Sequence, residues 1–231
     1  MDIKFSGVTK IFEPDIVALE DVYLNIDRGE FVYLVGETGS GKTTLMRCIF
    51  REVVPSRGHI SVGGRALRKI GRFELALFRR DIGIIFQDFA LLPNITAFEN
   101  VAFVLEVMGV PYKEIEERVA DVLKTVGIWR RRNLYPPQLS GGEQQRLAIA
   151  RAIVNEPSLI LADEPTGNLD SHTADEIMQL MLDINAAGTT VIMATHNQLL
   201  VNTYRHRVIE IRRGRVIRDD KEGGYAADVT Y

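Results

Sequence analysis

A glycine-rich stretch offers the strongest chemical signal in this sequence. Residues 36–43 read GETGSGKT and fit the phosphate-loop pattern G-x-x-x-x-G-K-[ST]. The short apolar run Phe31–Val35 before them predicts a buried strand, and residues 44–50 after them can continue as a helix. In that setting the backbone N–H groups of the loop converge on an anion at a helix N-terminus. The sequence therefore predicts that the chain binds a nucleoside triphosphate.

Individual side chains of this loop have distinct expected roles. The Lys42 ammonium is expected to reach the β- and γ-phosphates, and it counts among the catalytic candidates. The Thr43 hydroxyl is expected to ligate Mg²⁺. The predicted nucleotide-binding residues of this stretch are Gly36, Glu37, Thr38, Gly39, Ser40, Gly41, Lys42, Thr43 and Thr44.

A pair of acids supplies the second element that such a loop needs for its metal ion. The apolar run 159–162 ends in Asp163 and Glu164. Asp163 is expected to hold Mg²⁺ beside Thr43. Because neighbouring side chains of a strand point in opposite directions, Glu164 is free to orient and deprotonate the water that attacks the γ-phosphate. The alternative, two solvated acids at a strand end, is less favoured in a chain that also has a phosphate loop.

A second glycine motif narrows the class of protein. Residues 139–146 read LSGGEQQR, in which a serine and two glycines open a predicted helix. Ser140, Gly141 and Gly142 combine N–H donors with a hydroxyl, so this helix end can also receive a phosphate. Taken alone, the motif is explained equally well by an ordinary N-capped helix. Beside the phosphate loop, it predicts that one chain carries two phosphate-binding helix ends but only one phosphate-loop lysine.

The composition limits the partners and the compartment of the chain. The 231 residues carry a net charge of −3, which gives no electrostatic reason to expect direct nucleic-acid binding. The single cysteine, Cys48, excludes an internal disulfide and is expected to be a buried, inert thiol. The sequence has no run of about 18 apolar residues that could span a bilayer. We therefore expect an intracellular chain that associates with a membrane only through a partner.

The order of apolar and helical segments predicts the fold class. Strands that alternate with helices indicate a mostly parallel α/β sheet. Alternating polar and apolar positions predict half-buried strands at residues 3–8 and 17–26. We expect a single domain of residues 1–231, made of a nucleotide-binding core (1–88 and 158–222), an inserted helical arm (89–157) and a tail (223–231).

The motifs and their order resemble those of ABC ATPases. Residues 139–143 match the LSGGE motif of that family, and the resemblance extends from residue 3 to about residue 224. It implies that Phe12 stacks on adenine and that Gln87 contacts Mg²⁺ and the attacking water. It also implies that His196 contacts the γ-phosphate and that residues 168–170 cross a dimer interface.

The resemblance implies an architecture and a mode of action. The fold would be a P-loop NTPase with a mostly parallel core sheet, an antiparallel β subdomain and an inserted α-helical subdomain. The activity would be hydrolysis of ATP, with Mg²⁺, by a head-to-tail homodimer that forms when ATP binds. Each ATP would then lie between Lys42 of one chain and residues 140–142 of the other. Dimerisation would supply a mechanical stroke, and hydrolysis would release it.

Within the family, the chain resembles the bacterial cell-division ATPases. Residues 87–93, QDFALLP, carry this likeness together with residues 50–52, 194–197 and 215–225. The likeness implies a place at the cytoplasmic side of the inner membrane, an integral membrane subunit as partner, and control of cell-wall hydrolases outside. The lipoprotein-release and macrolide-export ATPases are the alternative.

Apolar residues just after Gln87 are candidates for the surface that receives the membrane partner. They are Phe89, Leu91, Leu92 and Pro93. Burial against the helical arm explains the same residues equally well.

Overall fold

The structure is a computed structural model that describes residues 1–225. Runs rich in β-branched and aromatic residues form its strands, since such side chains pack well on a pleated surface. In chain order the strands are β1 (Ile3–Phe12), β2 (Ile16–Ile26), β3 (Phe31–Val35), β4 (Arg57–Val62), β5 (Arg65–Ala66), β6 (Ile82–Ile85), β7 (Leu159–Asp163), β8 (Thr190–Ala194), β9 (His206–Arg212) and β10 (Arg215–Gly223).

These strands form two sheets. The central sheet has six strands in the spatial order β10-β9-β3-β8-β7-β6. Its neighbours are parallel except for β9 and β10, which form an antiparallel hairpin. The remaining strands form an antiparallel sheet in the order β2-β1-β4-β5. The predicted mostly parallel core sheet with an antiparallel β subdomain is confirmed.

The helices connect and cover the central sheet. They are α1 (Lys42–Ile49), α2 (Arg72–Arg80), α3 (Ala97–Val107), α4 (Tyr112–Thr125), α5 (Gly141–Ile153), α6 (Ser171–Ala186) and α7 (Gln198–Thr203). Helices α3, α4 and α5 follow one another between β6 and β7, in the stretch predicted as a helical arm. The limits of the core, the arm and the tail stay a prediction. None of the helices in residues 1–225 combines the length and the apolar character needed to cross a membrane.

Alternate residues of the central sheet face two separate hydrophobic clusters. In β3, Phe31, Tyr33 and Val35 belong to the cluster that contains the buried residues of α3, α4, α5 and α6. Val32 and Leu34 belong to the other cluster, which contains buried residues of α1 and of the antiparallel sheet. Burying each such side chain stabilises the fold by roughly 1.5–3 kcal/mol. Because both faces are covered, strands β3, β6, β7 and β8 are apolar almost throughout.

Cys48 lies in α1, within the second cluster. The thiol is free and fully buried, and burial raises its pKa to about 12. The prediction of a buried thiol is confirmed, and its raised pKa agrees with the expected inert role, since the thiolate is the reactive form.

Two helices are absent from the sequence prediction. In α2, Phe78 is buried but Phe73 is exposed, so the apolar residues do not mark a single buried face. Helix α7 is only 6 residues long, too short for a periodic pattern to stand out.

Several element ends also differ from the prediction. Strand β1 runs on to Phe12 because that residue pairs with Ile16 of β2. Helix α5 begins at Gly141, directly after its N-cap Ser140, and this cap offsets the low helix propensity of glycine. Strand β10 includes Gly223, the first residue of the predicted tail. Residues 226–231 of that tail lie outside the described residues.

Candidate active site

Four neighbouring parallel strands deliver most of the predicted site residues to one edge of the central sheet. Strand β3 leads into the phosphate loop, β8 into His196, β7 into Asp163 and Glu164, and β6 into Gln87. The carboxyl ends of parallel strands open on the same side of a sheet, which is where ligands bind in open α/β folds. The fold therefore collects at one edge motifs that are far apart in the sequence.

Two glycines of the phosphate loop lie too close to neighbouring backbone to be replaced. A Cβ on Gly36 would lie 2.1 Å from the Ile211 carbonyl oxygen, and one on Gly41 would lie 2.4 Å from the Ala18 carbonyl oxygen. Both residues also have positive φ, 141° and 115°, which glycine adopts without strain. These contacts explain the glycine spacing and set the shape of the loop.

Polar groups of the loop are available to an anion. Ser40 Oγ is buried and has no hydrogen-bond partner in residues 1–225. Lys42 Nζ donates to the carbonyl oxygens of Gly36 at 2.7 Å and of Glu37 at 3.0 Å, both within the loop itself. Buried polar atoms are normally paired, so an unpaired hydroxyl in the same loop as the Lys42 ammonium fits a site that completes its hydrogen bonds with a phosphate.

Thr43 and Asp163 meet at the sheet edge. The Thr43 hydroxyl donates to Asp163 Oδ2 at 3.0 Å across a sequence separation of 120 residues. A hydroxyl and a carboxylate are the hard oxygen ligands that Mg²⁺ prefers, so this donor set fits the expected ion. Gln87, the third predicted ligand, is exposed just after β6, the strand next to β7.

Glu164 and His196 are in contact. His196 Nδ1 lies 2.8 Å from Glu164 Oε1, and the Glu164 N–H donates to the Ala194 carbonyl at 2.9 Å. Glu164 has a φ of 49°, a conformation that is uncommon for residues other than glycine and that clusters at functional sites. Its side chain is 11% exposed, whereas that of His196 is 68% exposed. The histidine therefore fixes the orientation of a largely buried carboxylate at the sheet edge.

Phe12 lies at the end of the β1–β2 hairpin, whose strand β2 contacts the phosphate loop. The hairpin meets that loop at Ala18, whose carbonyl oxygen lies next to Gly41. Phe12 is 37% exposed, Ile16 opposite it is exposed as well, and Lys10 Nζ lies 4.7 Å from the Phe12 ring centroid. An exposed aromatic ring at this place is suited to stacking on a base.

The Ser140 turn belongs to the helical arm. It opens α5 with a capping box, in which Ser140 Oγ accepts the Glu143 N–H at 3.3 Å and Glu143 Oε2 accepts the Ser140 N–H at 2.9 Å. Within the described part of the chain, no hydrogen bond joins residues 140–142 to residues 36–44. The structure brings the predicted site residues that follow β3, β6, β7 and β8 to the sheet edge, but it does not join this second N–H cluster to the phosphate loop.

Sequence reasoning missed a residue that supports this turn. Arg131 Nε donates to Glu143 Oε1 at 2.8 Å. The Ser140 N–H, followed by the Arg131 guanidinium, holds the pKa of Glu143 below its usual range. The pair is separated by 12 residues and lies on different elements, so no local pattern predicts it. The only feature of the sequence that could have indicated this ion pair is an arginine shortly before the LSGGE motif.

The predicted interface segment, residues 168–170, lies beside the same turn. A Cβ on Gly141 would lie 3.7 Å from Leu169 Cδ2. Asp170 N-caps α6 by accepting the Thr173 N–H at 3.0 Å. The segment is therefore held by the helix that it caps.

The apolar residues after Gln87 divide between the two predicted alternatives. Phe89 is half-buried and Leu91 packs against the core, whereas Leu92 and Pro93 are exposed. The side chain of the buried Asn100 binds the Leu92 backbone twice. Its Oδ1 accepts the Leu92 N–H at 2.9 Å, and its Nδ2 donates to the Leu92 carbonyl at 3.0 Å. The Leu92 side chain is nonetheless 41% exposed, so the backbone is fixed while an apolar side chain is presented to solvent.

A groove of about 550 Å³ lies between α2, α3 and the end of α5. The loop after β6 also contributes to it. Its lining combines apolar side chains with arginines, among them Phe86, Phe103, Val107, Arg79, Arg80 and Arg151.

Comparison with known proteins assigns the chain to a class. The family described as ABC transporter matches residues 19–167, a span that holds the phosphate loop, Gln87 and the LSGGE motif. The chain belongs to this family of ABC ATPases. Members of the family bind and hydrolyse ATP, so the chain is an ATPase, as predicted.

Individual relatives narrow the comparison. The cell division ATP-binding protein FtsE of Streptococcus pneumoniae is 48% identical over 226 residues, which cover 98% of this chain and 98% of that protein. The macrolide export ATP-binding/permease protein MacB of Pectobacterium atrosepticum is 42% identical over 94% of this chain but only 34% of its own length. The dimeric ATP-binding cassette MJ0796, in a post-hydrolysis state bound to ADP and Pi, has a TM-score of 0.87 and 40% identity, covering 96% of this chain and 100% of that chain. The fold is that of an ABC ATPase cassette.

Proposed function

We propose that the chain is the ATPase subunit of an FtsEX-type complex, which relays ATP turnover through a membrane subunit to cell-wall hydrolases in bacterial division. The likeness to FtsE carries this proposal, because it extends over nearly the whole of both chains. Export has less support, since the chain spans only 34% of MacB. On this proposal the chain lies at the cytoplasmic face of the inner membrane, where an FtsX-like subunit holds it.

The sheet edge binds Mg²⁺ and ATP in this proposal. Lys42 and the N–H groups of the phosphate loop bind the β- and γ-phosphates, and Phe12 stacks on the adenine. Thr43, Asp163 and Gln87 would hold Mg²⁺, which neutralises charge that develops on the phosphates. The 3.0 Å contact between Thr43 and Asp163 supports this assignment.

Hydrolysis is assigned to the pair at the ends of β7 and β8. The Glu164 carboxylate accepts a proton from the water that attacks the γ-phosphate, and the products are ADP and phosphate. His196 positions Glu164 through their 2.8 Å contact and faces the γ-phosphate from the exposed side. Because the carboxylate is already held in one orientation, little of the activation free energy is needed to reorganise it during the reaction.

A second copy of the chain completes each site. Residues 140–142 share no hydrogen bond with the phosphate loop in the described part of their own chain, although their N–H groups open a helix. The cassette MJ0796, which shares this fold, is dimeric. We infer that the Ser140 turn of a twin chain closes on the γ-phosphate, so that ATP joins two chains and hydrolysis separates them.

The proposed dock for a cytoplasmic helix of the membrane subunit combines the groove between α2, α3 and the end of α5 with the exposed Leu92, which follows the groove residue Ala90 by two positions in the sequence. Its apolar lining suits one face of an amphipathic helix, and its arginines favour acidic residues on that helix. Phe86 and Ala90 line the groove and flank Gln87 in the sequence. A helix bound in the groove would therefore contact the loop that carries Gln87 and could alter the position of this residue.

Replacing Leu92 by aspartate tests this dock. The chain is co-expressed with an affinity-tagged FtsX-type subunit, and the amount that co-purifies in detergent is measured. We expect Leu92→Asp to lower that amount by about tenfold or more, because burying an unpaired charge costs several kcal/mol. ATP affinity should be unchanged. Leu199→Asp, at an exposed leucine on α7, is the matched control and should co-purify like the wild type.

The same assay separates division from export. Wild-type chain is also tested against a tagged permease of the lipoprotein-release type. We expect the chain to co-purify with the FtsX-type subunit and not with the permease. Co-purification with the permease and not with the FtsX-type subunit would favour transport. Undiminished recovery of Leu92→Asp with the FtsX-type subunit would remove Leu92 from the dock.

A further inference from the structure

The loop that carries Gln87 holds two successive residues in the left-handed conformation. Phe89 has a φ of 60° and Ala90 a φ of 49°. This conformation is unfavourable for any residue with a Cβ, and it persists only where surrounding contacts impose it. The contacts that impose this bend therefore also set the path of the chain at Gln87.

The side chain of Arg151 binds the backbone at the bend. Its Nη2 donates to the Phe89 carbonyl at 2.9 Å, and its Nη1 donates to the Ala90 carbonyl. Burial lowers the pKa of Arg151, and the nearby Asp88 carboxylate acts in the opposite direction. A planar guanidinium presents two donors in a fixed fork, which the single ammonium of a lysine does not reproduce.

Arg151 stands on the same helix as the Ser140 turn. It lies in the last turn of α5, at the end opposite the serine and the two glycines. Between these ends Leu147, Ile149 and Ala150 are fully buried, so the helix is packed as a rigid element. A displacement at one end of such an element reaches the other end.

We propose that Arg151 is a positioning residue that couples the Ser140 turn to Gln87. When the turn engages a nucleotide, α5 shifts, and the two bonds from Arg151 carry the loop so that Gln87 reaches its working position. The inference rests on the proposed roles of Gln87 and of residues 140–142. A residue with a merely structural role would alter stability and leave the kcat of the folded enzyme unchanged.

A double-mutant cycle tests the coupling. ATPase kcat and KM are measured for the complex with the membrane subunit, with Arg151→Lys, Gln87→Ala and the double variant. We expect Arg151→Lys to lower kcat by about tenfold with little change in KM, and to have almost no further effect when Gln87 is already alanine. Arg118→Lys is the matched control, because Arg118 also binds a backbone carbonyl near the end of α5, that of Val154 at 2.7 Å, but does not bind the loop. Its kcat should equal that of the wild type.

A rescue variant separates loop geometry from general stability. Glycine adopts the φ of residue 90 without strain, so Ala90→Gly lets the loop keep its bend with less help from Arg151. In the Arg151→Lys background, Ala90→Gly is expected to restore kcat several-fold. Urea midpoints verify that each variant is folded.

The outcomes distinguish this inference from the proposal on which it rests. A Gln87→Ala variant with wild-type kcat would overturn the proposed role of Gln87 and, with it, the coupling. If Gln87→Ala lowers kcat but Arg151→Lys lowers it by the same further factor in both backgrounds, only the coupling is overturned. Absence of rescue by Ala90→Gly would also place the role of Arg151 outside the loop and contradict the inference.

Discussion

At the scale of single residues, Glu164 shows what a sequence pattern conveys and what it omits. The apolar run before Asp163 and Glu164 predicts a strand that ends in two acids, and the structure places that strand as β7. The contact of Glu164 with His196 could not be predicted, because the order of parallel strands in a sheet is a tertiary property. The closeness of Thr43 and Asp163, by contrast, follows from the two motifs, because both residues are expected to hold the same Mg²⁺ ion.

Replacing Glu164 by glutamine tests its assignment as the base. Glutamine keeps the size of the side chain but does not accept a proton, so turnover should fall by about 10²–10⁴-fold. ATP binding should survive, since Lys42 and the phosphate loop are intact. Phosphate release measures turnover, and a fluorescent ATP analogue measures binding. Glu117→Gln, at an exposed site on α4, is the control; normal hydrolysis by Glu164→Gln would overturn the assignment.

At the scale of an element, the N-terminus of α5 is more firmly built than its glycines suggest. The capping pattern of a serine followed three residues later by a glutamate is readable in the sequence. The support from Arg131 is not, because it comes from a segment that only the folded arm brings close. Helix propensity alone would start the helix after the two glycines, whereas the cap lets it begin at Gly141.

The stability that Glu143 contributes should depend on pH. Its pKa is lowered in the folded chain, so the unfolded chain binds more protons at acidic pH. The contribution is complete above the ordinary carboxyl pKa and is lost as the pH falls below about 4.3. Glu143→Ala should cost about 1 kcal/mol at pH 7, the usual net value of a hydrogen bond, because it removes the acceptor of the Ser140 N–H, and it should cost progressively less in acid.

Urea unfolding of wild type and variant across pH measures this difference. Glu114→Ala is the control. Glu114 is exposed and forms an ion pair with Arg118, and ion pairs of exposed residues add little to the free energy of unfolding. A gap between wild type and Glu143→Ala that stays constant from pH 7 to pH 3 would contradict the account.

At the scale of the whole molecule, the arrangement of the central sheet was easier to predict from the sequence than the position of every helix. Alternating strands and helices indicate a parallel sheet, and apolar strands indicate that both faces are covered, as the two clusters confirm. Helix α2 was not predictable, because Phe73 and Leu77 are apolar yet exposed. Apolar residues that remain at a surface carry no periodic signal of the fold. Phe73 and Leu77 share helix α2 with Ala76 and Arg79, which line the groove that we assign to a partner.

Our central proposal for the whole molecule is that two chains together enclose each ATP, so that a single chain cannot. Gly141→Asp is suited to test it, because a Cβ at this position meets only Leu169 Cδ2 at 3.7 Å, an ordinary contact. A carboxylate in the first turn of α5 also interacts favourably with the helix dipole, so the fold should be retained. The same carboxylate would repel the γ-phosphate of an ATP held by a twin chain.

Sedimentation velocity with saturating ATP, in the Glu164→Gln background that prevents turnover, is the most direct measurement. We predict that Glu164→Gln alone sediments as a dimer, and that adding Gly141→Asp leaves a monomer that still binds ATP through its phosphate loop. A double variant that dimerises with ATP as strongly as Glu164→Gln alone would contradict the shared site.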